Sequence, residues 1–288
     1  MPTSADPHFW NALKERLGAL GYVEGRDIVY ESRSAEGKFE RLPALAEELV
    51  RARPDVIVTA STPPTKAARA ATASIPIVIA TGGDPVKMGV AVSLSRPGGN
   101  VTGVSNLSNE SGPKLVEFAR ATLPKLSSVA VLWNPANLAS ADQVTLETAK
   151  QMGMTVLQLR ARAPAEIDTV FASVAKERSG AVIVLSDPFL ISQREKIASL
   201  ARAQHVPVFA NMVELTRVGG LLSYGPDYID HFRRAAYFVD RILKGAKPGD
   251  LPIEQAATFA LVVNSKTAVA LGIKIPQEIL VRATEVIE

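Results

Sequence analysis

Cysteine is absent from the 288 residues, which excludes disulfides, zinc-thiolate sites and thiol nucleophiles. That absence fits an oxidising compartment as well as the cytoplasm. Histidine occurs only as His8, His205 and His231, too scattered for a metal cluster. His205 reads as a helix end, where its proton interacts well with the helix dipole. No apolar run approaches the roughly 18 residues of a membrane span, and no basic and apolar signal segment opens the chain. An excess of one charge is also lacking. The net charge is +3, with Lys and Arg spread along the chain and largely matched by Asp and Glu, so nucleic acid is a poor partner. Enzyme signatures are missing too: there is no G-x-x-x-x-G-K-S/T, no G-x-G-x-x-G after a strand, no G-x-S-x-G and no H-E-x-x-H. No cofactor and no metal are expected.

What is present is organised around Asp55 to Lys66, DVIVTASTPPTK. Val56, Ile57 and Val58 read as a strand buried on both faces. Hydroxyl residues follow, then Pro63 and Pro64, which suit a first helical turn, and an alanine-rich helix from Thr65 to Ala73. Free backbone N–H groups and the positive end of the helix dipole meet in such a turn, so it can hold a carboxylate, phosphate or hydroxyl. The plain alternative is a Ser/Thr helix cap. The same grammar recurs in IPIVIATGGDP (75–85), VAVLWNPAN (129–137), AVIVLSDPF (181–189) and VPVFANMVE (206–214). Strand C-termini of a parallel sheet share one edge, and ligands bind outside it, so that edge is the expected site.

In chain order, a helix carries Phe9, Leu13, Leu17 and Leu20 and stops at Gly21. Arg26 to Ser32 reads as an alternating strand. Phe39 to Arg51 reads as a helix with Leu42, Leu45, Ala46 and Leu49 inward. A further helix is expected after Pro85, to about Ser95, and Val101 to Ser105 as a connection. The alternation then restarts: helices at 113–123, 140–152, 164–176 and 190–204, with strands at 128–133, 155–159, 181–185 and 206–209. A last strand at 220–224, an amphipathic helix at 228–244 and a strand at 259–263 follow. Two such runs mean two similar lobes. A doubly wound lobe normally has a central strand before its first helix, and Met1 to Pro7 is too short and polar to be it. The first strand of lobe one is therefore expected to be missing, and the native product to extend upstream with that strand and an export signal.

Asp84 and Asp187 each precede a proline. They could be acid and base across a site, but nothing beside them supplies a nucleophile, and Asp-Pro is also a common helix start. Trp133, Phe189 and Tyr224 close strand ends, where they sandwich a flat ligand or simply pack over the sheet end.

The pieces LGYVEGRDIVYE, RLPALAEELV, PDVIVTAST, IPIVIATGGDPV, LSRPGGNVTGVSN, VAVLWNPAN, SDPF, GGLLSYGPDY, RRAAYFVDRILKGAKPGDLPIEQ, FALVVNSKTAVALGI and EILVRATEVI span the chain. In that order they resemble the ABC-transporter substrate-binding proteins of the tryptophan-binding type, a branch of the type 1 periplasmic binding proteins. The resemblance implies an α/β fold of two doubly wound parallel-sheet lobes joined by three crossovers near 103–106, 223–226 and 255–259. Lobe one is expected from 1–104 and 225–256, and lobe two from 105–224 and 257–288. It also implies a non-enzymatic, monomeric protein that holds a small solute in a cleft between closing lobes and delivers it to a membrane permease, in the periplasm or anchored at the cell surface. Gly103 and Gly225 lie at the expected joints.

The expected solute is a small carboxylate, an apolar or aromatic amino acid or a relative. Ser61, Thr62, Thr81 and Gly82 offer hydroxyls and N–H groups for its acid end. Asp187 would accept from an ammonium. Asp84, Asn134, Asn137 and Asn211 would add polar contacts, and Trp133, Phe189 and Tyr224 would clasp an apolar side chain. The rival readings are a sugar-binding protein and a cytoplasmic ligand-sensing core. A DNA-binding regulator is not expected, since it would need a helix-turn-helix segment before the first lobe.

Overall fold

Short β-branched runs become the strands of two separate sheets in a computed structural model that describes residues 7–36, 38–106, 111–137, 143–255 and 258–288. The elements begin with α1 (Pro7–Ala19), α2 (Leu42–Arg51), β1 (Ile57–Ala60), α3 (Thr62–Ala71), β2 (Ile77–Thr81) and β3 (Val101–Ser105). Next come α4 (Ser111–Thr122), β4 (Ser128–Trp133), α5 (Gln143–Gln151), β5 (Thr155–Arg160), α6 (Pro164–Lys176) and β6 (Ala181–Val184). Then follow α7 (Pro188–Ser192), α8 (Arg194–Ala203), β7 (Val208–Ala210), α9 (Val213–Arg217), β8 (Leu222–Pro226) and α10 (Tyr228–Leu243). The chain ends with β9 (Glu254–Gln255), β10 (Phe259–Asn264), α11 (Ser265–Ala270), α12 (Gln277–Arg282) and β11 (Glu285–Ile287). It divides into two units, Met1–Leu107 with Asp227–Ala257 and Ser108–Pro226 with Thr258–Glu288.

The first unit's sheet has the order β1-β2-β3-β9, all parallel. Its core joins Ile57, Ile77, Ile79 and Val101 to the expected inward face of α2, Leu42, Leu45, Ala46 and Leu49. The apolar stripe of α1 packs on a helix more than two hundred residues later in the chain. Phe9 stacks on Phe232 of α10 at 5.4 Å and meets Tyr228 edge-on at 5.8 Å. Helix α1 ends as its pattern predicts, with Gly21 at φ +99° and the Tyr22 N–H returning to the Leu17 carbonyl.

Two expected elements of this unit do not form. Arg26 to Ser32 is not a ladder strand: it makes a single bridge, Glu24 with Ile28, and Val29 is 77% exposed. Gly25, at φ +84°, and the Asp27 carboxylate, which accepts the Val23 N–H at 3.0 Å, close a turn there, so the alternation has no core to face. The helix expected after Asp84 is a series of turns. Val90 and Ala91 both donate to the Pro85 carbonyl, and Gly89 takes φ +72°, which turns the chain out of a helix after one turn. Gly103, expected at a joint, lies inside β3 opposite Ile79. A Cβ there would come 2.2 Å from the Ile79 carbonyl oxygen, so close backbone approach requires glycine.

The second unit's sheet has the order β11-β10-β8-β7-β6-β4-β5. Five of these, β5-β4-β6-β7-β8, are parallel and follow the doubly wound order in which the first strand lies between the second and third. Winding reverses between β4 and β6. The sheet is mixed rather than wholly parallel, because β10 runs antiparallel to β8 and carries β11 with it. The β4 and β6 interiors are inaccessible to solvent and pack with Phe209, Leu222 and Val263. The helix expected at 190–204 is broken at Gln193, where Ser192 Oγ and the Arg194 guanidinium donate to the Phe189 and Ile191 carbonyls. The expected start of α5 at Ser140 lies outside the described residues. Gly225, the second expected joint, is inside β8 opposite Ala260, where a Cβ would meet the Asn211 carbonyl oxygen at 2.4 Å.

Candidate functional site

In the first unit, parallel pairing brings the ends of β1, β2 and β3 to one edge. Ser61 leaves β1 at φ +76° and ψ 165°, a backbone region that essentially only glycine occupies without strain. This turn lets the Ser61 N–H donate to the Thr81 carbonyl at 2.6 Å and passes the chain into α3, with Pro63 and Pro64 in its first turn. Thr65 Oγ1 donates to the Ser61 carbonyl at 2.8 Å. Thr62 Oγ1 accepts the Gly83 N–H at 3.2 Å, which ties the start of α3 to the turn after β2. Ser61, Thr62, Thr81 and Gly82 are thus brought together as expected. Asp84 sits in the next turn, and its Oδ1 accepts the Val86 and Lys87 N–H groups, the capping role that Asp-Pro allowed.

Three further residues complete this edge. His231 Nδ1 lies 3.4 Å from Thr81 Oγ1, the Tyr228 ring meets the His231 ring edge-on at 5.7 Å, and Asn106 Nδ2 reaches the Tyr228 hydroxyl at 3.5 Å. The Asn106 N–H donates to the Gly82 carbonyl, closing a circuit of contacts back to Thr81's neighbour. Ser61 Oγ, Asn106 Oδ1 and His231 Nε2 are buried and have no hydrogen-bond partner among the described residues. His231 is 2% exposed, and burial pushes its imidazole down to about 4 against the raising influence of Asp230 and Asp227.

In the second unit, Asn134 and Asn137 follow β4 and Asp187 follows β6, so the three meet where the winding reverses. Asp187 Oδ1 accepts from Asn134 Nδ2 at 2.9 Å and from the Phe189 and Leu190 N–H groups at 2.8 and 3.3 Å, capping α7. Its Oδ2 accepts from Asn137 Nδ2 at 2.9 Å. The carboxyl is 1% exposed, and burial pushes it up against those four donors. Asn134 Oδ1 in turn accepts the Ala136 N–H. Asn211, just after β7, accepts the Ser186 N–H and donates to Ser111 Oγ at 3.3 Å, joining the turns after β6 and β7 to the start of α4.

The aromatic residues separate from this cluster. Phe189 is buried in the first turn of α7. The Trp133 ring lies under the Arg160 guanidinium, 5.3 Å away, and Tyr224 is held between Phe118 and Phe259, each at 5.4 Å. Tyr224 therefore packs over its sheet.

Asn106, Tyr228 and His231 were not singled out in the sequence. Their signals were there: Asn106 ends VTGVSN as the other polar residues end their strands, and Tyr228, His231 and Ala235 share the buried face of α10. Among the described residues, no group of three or more His, Asp or Glu could hold a metal ion, and no helix is long and apolar enough to cross a membrane.

A family model described as ABC transporter substrate binding protein matches residues 7–287. A Clostridioides difficile relative, named tyrosine-binding protein, is 26% identical over 268 residues, 92% of this chain and 76% of that one. A crystal structure of a conserved domain protein from Vibrio cholerae superposes with a TM-score of 0.90 at 31% identity, over 99% of this chain and 97% of the other. The ABC domain from Streptococcus pneumoniae, in complex with L-Trp, superposes at 0.88 and 27% identity, over 98% and 95%. With polar strand ends gathered at a sheet edge in each of two α/β units and a family match over nearly its whole length, the chain belongs to the ABC transporter substrate binding protein family.

Proposed function

We propose that the chain serves an importer, binding a small carboxylate-bearing solute, an apolar or aromatic amino acid or a close relative, and passing it to a membrane permease. Its role is binding rather than catalysis, and its expected state is a monomer outside the cytoplasm. The carrying observation is the hydrogen-bonding capacity left at the first unit's sheet edge, where, among the described residues, the buried Ser61 Oγ and Asn106 Oδ1 lack partners near the Thr81 hydroxyl. Buried polar groups in a native fold are ordinarily satisfied, so such a cluster fits a polar solute. Ser61, Thr62, Thr81 and Gly82 hold the carboxylate, helped by the α3 N-terminus. Within the second unit, Asp187 keeps an acceptor position on Oδ2 beside Asn137 for an ammonium, with Asn134 and Asn211 adding polar contacts, and within the first unit Asp84 adds another. Trp133 and Phe189 offer apolar surface. The tyrosine-binding name of one relative and the L-Trp in another support the same class.

Isothermal titration calorimetry against L-tyrosine, L-tryptophan, aromatic acids and sugars tests this. Saturable binding of the amino or aromatic acids is expected. Binding to sugars alone would overturn the solute class.

A further inference from the structure

We infer that His231 is a positioning residue that makes the Thr81 hydroxyl a hydrogen-bond donor to the solute, so that the first unit selects for an acceptor group such as a carboxylate. The inference rests on the reading of a carboxylate at this edge, and it adds the residue that sets the edge's polarity.

A neutral imidazole carries one N–H and one bare nitrogen, and the two tautomers give Thr81 opposite characters. With the proton on Nδ1, the ring donates to Thr81 Oγ1 across 3.4 Å and the Thr81 O–H is left to donate elsewhere. With the proton on Nε2, the Thr81 O–H is consumed by Nδ1 and only hydroxyl lone pairs remain for a solute. The surroundings of Nε2 decide between them. Among the described residues that atom has no partner, and the residue is 2% exposed. A buried N–H without an acceptor is costlier and rarer than a buried bare acceptor, so the proton sits on Nδ1.

The surrounding contacts hold the ring in this register. His231 is on the first turn of α10, whose N-cap Asp227 accepts the Asp230 N–H, and the Tyr228 ring packs edge-on against it. Thr81 is fixed by its own backbone, since its carbonyl accepts the Ser61 N–H and its strand pairs on both sides. Burial keeps the imidazole neutral at neutral pH, which lets the tautomer rather than a charge set the direction of the Thr81 hydroxyl.

Two measurements on the full chain test this. The first needs no solute: long-range proton–nitrogen NMR of histidine-labelled protein at pH 7, with His231 assigned by its loss in His231→Asn. A protonated Nδ1 and a bare Nε2 are expected; the reverse pattern would overturn the inference. The second uses L-tryptophan and L-tyrosine against tryptamine and tyramine, which lack the carboxylate. Asn places an N–H where His has Nδ1–H, so His231→Asn should bind the amino acids within about threefold of the natural protein. His231→Leu and Thr81→Val should each lose about tenfold, the double variant no more than either, and Thr81→Ser should retain binding. Affinity for the two amines should not move. Full amino-acid affinity in His231→Leu would refute the positioning role. Should the natural protein bind none of the four probes, the solute class fails while the tautomer measurement still decides the inference. If His231→Leu does not fold, His231→Asn and Thr81→Val carry the test.

Discussion

At the first unit's sheet edge Ser61 Oγ, Asn106 Oδ1 and His231 Nε2 are buried without partners among the described residues, whereas in the second unit Asp187 alone gathers four donors and Asn211 links two turns to the start of α4. Both clusters come from the same sequence grammar, a short apolar strand followed by small polar residues and a proline-led helix. The difference lies in which turn each polar residue enters. Asp187 caps a helix and sits beside a neighbouring strand's asparagines, so its charge organises protein groups. Ser61 is held in a strained backbone state that spends its N–H on Thr81 and leaves its hydroxyl unused. The second unit's edge is braced by protein hydrogen bonds around Asp187, whereas the first unit's edge holds polar groups that the described residues do not satisfy.

The largest expected effect follows from the braced edge. Asp187→Ala leaves the Asn134 and Asn137 amides and two α7 N–H groups without their acceptor, and should destabilise the second unit by about 3 to 5 kcal/mol. The two tryptophans separate the units: Trp133 reports the second in a Trp10→Phe background, and Trp10 reports the first in Trp133→Phe. Urea unfolding should show the loss in the Trp133 signal, and an unshifted midpoint would mean that the network is not structural. Asp187→Asn retains an acceptor oxygen and serves to test ammonium binding without the full cost.

The units should also respond oppositely to acid. His231 has a folded value of about 4 against 6.5 when unfolded, so the unfolded chain binds the extra proton between those values. The contribution is complete above pH 6.5 and is lost as pH falls to 4, amounting to about 3 kcal/mol. Asp187 is raised, so its contribution is present below the unfolded carboxylate value and is lost as pH rises through the folded one. Stability followed by Trp10 should therefore climb from pH 4 to 6.5 and lose that slope in His231→Asn. A slope unchanged in the variant would assign it to other groups.

Asn211→Ala should cost about 2 kcal/mol in the Trp133 signal, because the Ser186 N–H and Ser111 Oγ lose a shared partner. The smallest effect, and of opposite sign, is Ser61→Gly. Relief of the positive φ should exceed the entropy cost of glycine and stabilise the first unit by about 1 kcal/mol while weakening solute binding. A destabilised Ser61→Gly variant would show that no strain is stored there.

Much of this was legible in the chain because the signals are local. Apolar runs with polar ends read as β1, β2, β4, β6 and β7. Leu42, Leu45, Ala46 and Leu49 share one helical face, and Asp187-Pro188 reads as a cap. The failures are places where a pattern lacked its partner. Arg26 to Ser32 alternates correctly but a turn leaves Val29 in solvent, and Pro85 to Ser95 forms turns rather than a helix, with Gly89 at positive φ.

Sequence by itself determined the strand and helix alternation, the polar strand ends, the absence of cysteine thiols, and a family resemblance running the length of the chain. Only the tertiary structure decided that Asp187 would be spent on Asn134 and Asn137, that Gly103 and Gly225 would serve close backbone contact within a sheet, and that His231, 150 residues away in the chain, would stand against Thr81. The physical reason is that hydrogen-bond satisfaction is a property of neighbours in space. A hydroxyl at a strand end looks the same in the sequence whether a buried imidazole faces it or nothing does.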